Sequence, residues 1–150
     1  MLANPKRRPG GTTVEFAVVG PIVLLFLLGL LIGGMGVFRY HEVALLAREG
    51  SRWASVHGTQ YALDTGYPAA TATDVYNNAI APHALGLDKT QLSYTVTWNT
   101  DNHPYHTMIV NNQVVAVTNT VTVTVNYQWV PEAFLGGITL SSSSTVPMCE

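Results

Sequence analysis

Glu15 is a lone carboxylate at the threshold of a long apolar run, and its position asks for a chemical explanation. From Phe16 to Phe38 there are 23 residues without a charge. A helix over that run rises roughly 34 Å at about 1.5 Å per residue, enough for a hydrocarbon core of about 30 Å. An acid at the edge of such a span is costly to desolvate and is a functional candidate. The chemistry open to it is neutralisation of a cation. The plain alternative is an interfacial cap, favoured by the helix macrodipole by about 0.3–1 kcal/mol.

The other reactive side chains point to less. The histidines are His41, His57, His83, His103 and His106. His103-Pro104-Tyr105-His106 sets two imidazoles three apart with Asp101 nearby, but a second pair of ligands is missing. No Ser–His–acid arrangement, nucleotide loop or paired-carboxylate motif stands out. The expectation is a non-enzyme without metal or cofactor. Cys149 is the single cysteine, so no internal disulfide can form.

Elements must now be found that position Glu15. Ahead of it the only charges are Lys6, Arg7 and Arg8, which place residues 1–10 in the cytoplasm and the rest beyond the membrane. From Trp53 to Glu150 one lysine stands against six carboxylates, a net charge of −5. Nothing there suits nucleic acid. A cleaved secretory signal also begins with a basic tail, but its apolar core is only about 7–15 residues long. No A-x-A pattern follows this longer run, so a retained anchor over about 16–38 is the preferred reading. Thr12 or Thr13 can cap the helix start. Pro21 inside the run removes a hydrogen bond and favours a kink. Gly29 and Gly33 form a G-x-x-x-G pair that permits close helix contact.

The helix is expected to continue to about Val56. Tyr40, Ala44, Ala47, Ser51 and Ala54 recur at helical steps beside Val43, Leu46, Gly50 and Trp53, with Glu42, Glu49 and Arg52 opposite. His57–Pro68 reads as a loop and Ala69–Leu85 as a second, shorter helix. Leu92, Tyr94, Val96 and Trp98 then alternate with polar residues, as do Val121, Val123 and Val125. Asn99–His106 reads as a loop, and Asn111-Asn112 as the turn of a hairpin between Met108–Val110 and Val114–Val117. Ile138–Val146 is a last Ser/Thr-rich strand. The pattern predicts an α+β fold in which the long helix covers a meander of about four antiparallel strands. Its organisation is a leader at 1–10, a long helix at 11–56 and an extracytoplasmic domain at 57–150.

This arrangement resembles a type IV pilin. Prepilins carry a short basic leader ending in glycine, then an apolar helix with glutamate at mature position five. A cut between Gly10 and Gly11 makes Glu15 the fifth residue, followed by Phe16. Val14-Glu15-Phe16-Ala17-Val18 leading to Pro21, Arg39-Tyr40 after the span, and Ala47-Arg48-Glu49-Gly50-Ser51-Arg52-Trp53-Ala54 are similar to the TadE-like branch of the tight-adherence (Flp-type) pili. The specific part of the resemblance covers residues 7–57. It implies a minor pilin or pseudopilin in the bacterial inner membrane, able to enter a surface filament. Its implied partners are other pilins and pseudopilins, a prepilin peptidase acting at Gly10 and Gly11, the inner-membrane assembly platform and the lipid bilayer. It further implies an assembly role for Glu15 and Phe16. Arg48, Glu49 and Arg52 form either a partner surface or simply a solvated face. The competing class is a signal-anchored binding domain outside any pilus.

Overall fold

The computed structural model describes residues 11–131 and 136–149. One compact unit ends at Met35 and a second begins at Gly36. Helix α1, Gly11–Val56, runs through both. Up to Met35 its large apolar side chains are exposed, from Val14 to Met35.

The second unit is built on residues 36–56 of α1. Val43, Leu46, Ala47, Gly50, Ser51 and Ala54 are buried, at alternating steps of three and one residues. That is the stripe of a helix lying on a surface. Across from it lies strand β4, Thr120–Trp129, with Val121, Val123, Val125 and Tyr127 all buried and the intervening residues more open. Strand β1, Leu92–Trp98, and strand β5, Ile138–Pro147, flank β4 in an antiparallel sheet of order β1-β4-β5. Leu92 pairs with Tyr127 and Trp98 with Val121, while Val121 pairs with Val146 on the other side. The expected α+β fold, a long helix on a small antiparallel sheet, is thus present.

Small residues set the helix-to-sheet distance. A Cβ placed on Gly50 would lie 3.1 Å from Val123 Cγ1 and 3.3 Å from Ile80 Cγ1. Ser51 adds a polar tie, its hydroxyl lying 2.8 Å from Ser144 Oγ and 2.9 Å from the Arg48 carbonyl. At Gly36 a Cβ would fall 2.9 Å from the Trp129 indole, so the ring lies directly on the helix backbone there.

Four expectations are corrected. The segment His57–Pro68 holds a helix, α2, Thr59–Thr65. Its glycines bound the helix rather than loosen a loop: the Gly58 carbonyl accepts from Ala62, and Gly66 closes the end at φ 79° with its N–H on the same residue's carbonyl. The helix expected over Ala69–Leu85 is confined to α3, Ala72–Val75, and a π-helical turn, Tyr76–Ile80. Thr71 and Asp74 start it with a reciprocal capping box. The meander of four strands is instead five strands in two sheets. Strands β2, Tyr105–Val110, and β3, Gln113–Thr118, form a separate hairpin inserted between β1 and β4. Its turn is as expected, with Asn111 and Asn112 at φ 51° and 62°. The hairpin lacks the alternation that gives β1 and β4 one buried face, so it adds nothing to the core. Tyr105, Met108, Ile109, Val110, Val114 and Val115 are all exposed. Tyr40, expected on the covered face of α1, is exposed as well.

Asn119, fully buried between β3 and β4, ties these parts together. Its amide nitrogen donates to Asp101 Oδ1 at 2.8 Å and to the His103 carbonyl at 2.9 Å. Its side-chain oxygen therefore accepts from His106 Nδ1 at 2.6 Å. Its carbonyl accepts from Met148 N–H, and the next amide, Cys149 N–H, donates to Ser55 at the end of α1.

Two outcomes are expected. Gly50→Val should destabilise the fold by about 1–3 kcal/mol through overpacking, measured by chemical denaturation of the detergent-solubilised chain. The second concerns acid. The Thr71 hydroxyl at 2.7 Å and its N–H at 2.9 Å hold the Asp74 carboxyl below the usual carboxylate range. A depressed folded pKa stabilises the fold above the unfolded value and is lost as pH falls through the folded one. Asp74→Asn should therefore flatten the acid limb of stability below about pH 4; an unchanged limb refutes that assignment.

Candidate assembly helix

The residues singled out for assembly lie on the first turns of α1. Gly11 is the first described residue of that helix, and a Cβ on it would meet nothing within 4 Å. Gly10 lies outside the described residues, so the processing position is seen from one side only. Glu15 is exposed one turn further on, and among the described residues the only ion pair is Arg39 with Glu42. Gly11 and Glu15 are four apart and so share a face of the helix.

Phe16 is 77 % exposed. Its ring lies over Gly20, where a Cβ would come within 3.6 Å of Phe16 Cε1. Phe16, Ala17, Gly20, Pro21 and Leu24 thereby line an apolar notch of about 460 Å³. Pro21 supplies part of this wall from inside the helix. Gly29 and Gly33 lie beyond the notch, and a Cβ on either would touch nothing. Neither glycine is used for packing among the described residues. The sequence signalled Glu15, Phe16, Pro21 and the glycines separately; the ring folded over Gly20 joins Phe16 and Pro21 in one feature.

The second unit holds the remaining candidates. Arg48 and Arg52 are exposed and Glu49 is half-buried. They occupy the outer face of the helix whose inner face is Ala47, Gly50, Ser51 and Ala54. Among the described residues Arg48, Glu49 and Arg52 form no ion pair. Arg39 does: its guanidinium lies 2.9 Å from the Glu42 carboxylate and also donates to the Gly86 carbonyl. The Gly86 backbone, at φ 84°, brings that carbonyl to the arginine. Arg39 thus fastens α1 to the segment ahead of β1. The structure does not bring His103 and His106 together as ligands. His106 is engaged by Asn119, and no group of three or more His, Cys, Asp or Glu suited to a metal occurs among the described residues.

One feature escaped sequence reasoning. Trp53 and His57 stack at the end of α1, ring centroids 3.9 Å apart, and Tyr61 of α2 leans against His57 with its ring tilted 53° and the centroids 4.7 Å apart. Their four-residue spacing is legible in the sequence, but the expected loop after Val56 concealed that the spacing continues through a helix.

By length and composition α1 can cross a membrane. Neither the comparison with curated proteins nor that with solved structures finds a match. The family comparison does: residues 10–52 match the model described as TadE-like protein. The match begins beside Gly11, takes in Glu15 and the apolar notch, and ends in the small-residue face that packs on β4. This segment of α1, from the start of the apolar helix to Arg52, is thus the part of the chain that is similar to TadE-like proteins.

Proposed function

We propose that the chain is a minor pilin or pseudopilin that acts in the assembly, priming or tip of a tight-adherence pilus. The observation that carries this reading is Glu15, exposed on the first turns of an apolar helix within the TadE-like segment. A prepilin peptidase cuts between Gly10 and Gly11 on the cytoplasmic side. The new ammonium of Gly11 then meets the Glu15 carboxylate, on its own chain or on a neighbour. The pair removes two charges that the hydrocarbon core would otherwise penalise.

The rest of the first unit suits helix–helix packing. Gly29 and Gly33 leave the backbone open to close approach. The notch around Gly20 and Pro21 offers a recess for an apolar side chain from a neighbouring pilin. Arg48, Glu49 and Arg52 face outward, where they can meet other pilins or the inner-membrane platform. The role is structural: the chain contributes surface and charge pairing, not a reaction.

Intact-mass measurement of the protein from native membranes should give a chain lacking Met1–Gly10. A retained leader overturns processing. Glu15→Ala should insert and accumulate as the parent does but lose co-purification with the pilus components. Normal co-purification of that variant would remove Glu15 from assembly.

A further inference from the structure

The cleft beside the Trp53 stack has the chemistry of a cation site, and nothing in the pilin reading uses it. It holds about 280 Å³ and is lined by Trp53, His57, Tyr61, Tyr67, Asp74 and Asn78 among others. That volume is just under the roughly 300–1,000 Å³ of clefts for drug-sized ligands. It suits one small head group.

The lining is fixed before any ligand arrives. His57 is stacked on Trp53 with the ring planes 11° apart, and its Nδ1–H donates to the Trp53 carbonyl at 2.8 Å. Gly66, in the left-handed conformation, turns the chain so that Tyr67 follows it 67 % exposed. A large ring left in water gains nothing from that exposure and is available to a ligand. Opposite are Asp74, held by Thr71, and Asn78, whose amide donates to the Asp74 carbonyl at 2.9 Å. Asn78 sits in the π-helical turn, a distortion that recurs at functional sites.

Charge selects the ligand. The lining contains one carboxylate and neither lysine nor arginine, so its one permanent charge is negative. A cation meets a carboxylate beside indole and phenol rings, the combination that recognises quaternary ammonium groups. We propose that this cleft binds a quaternary ammonium group, with Trp53, Tyr61 and Tyr67 as its aromatic walls and Asp74 as its counter-ion. The group can be a free cation such as choline or the head group of a lipid.

The full chain in maltoside detergent, which carries no ammonium, is titrated with choline chloride and followed by saturation transfer to the methyl protons. Saturable binding in the millimolar range is expected. The neutral carbon isostere 3,3-dimethylbutan-1-ol should bind about tenfold more weakly. Tyr67→Ala and Asp74→Asn should each weaken choline about tenfold with an unchanged circular dichroism spectrum, and Tyr67→Phe should keep the affinity. Glycerophosphocholine binding more tightly than choline assigns a lipid head group; weaker binding assigns a free ammonium ligand; both support the site. No saturation, an equal response to the neutral isostere, or an unaltered affinity in Tyr67→Ala overturns it.

Discussion

The second unit depends on how closely α1 lies on β4. Gly50 has no side chain, so the Val123 side chain reaches the helix backbone there, within the buried face that Ala47, Ser51 and Ala54 complete. Protein interiors tolerate little slack or excess volume, so this separation fixes what else fits. Ile80 of the π turn enters from one side of Gly50. Ser144 of β5 meets Ser51 at 2.8 Å. The TadE-like match ends within this face, so one segment carries both the candidate assembly residues and the core contact.

Much of this was legible in the sequence because it rests on periodicity. The 3.6-residue recurrence through Val43, Leu46, Ala47, Ser51 and Ala54 gave the covered face of α1, and two-residue alternation gave β1 and β4. The Asn111-Asn112 turn was readable from residue type alone. What was missed has a different cause. Gly58 and Gly66 are equally suited to a loop and to helix ends, and only the hydrogen bonds to Ala62 decide between them. The pairing of β1 with β4 is a long-range choice that a local pattern cannot encode. It follows from which strands present one apolar face.

The candidate sites divide in the same way. Glu15 and its neighbours are adjacent along one helix, so spacing alone placed them. The notch needed the observation that the Phe16 ring folds over Gly20. The Trp53 cleft draws residues from α1, α2 and the π turn, and no linear motif joins them. Charge reading describes the chain only at long range, as an excess of carboxylates after Trp53. It could not locate Asp74 beside Tyr67.

The order of these contacts along the chain carries a consequence for synthesis. The face of α1 is made well before Ser144 and Cys149, which bond Ser51 and Ser55. The hairpin between β1 and β4 further delays the strand that carries the valines. A chain growing from its N-terminus must therefore keep that apolar helix face uncovered until β4 and β5 have emerged. Exposed apolar surface of this kind is the state in which growing chains are prone to aggregate.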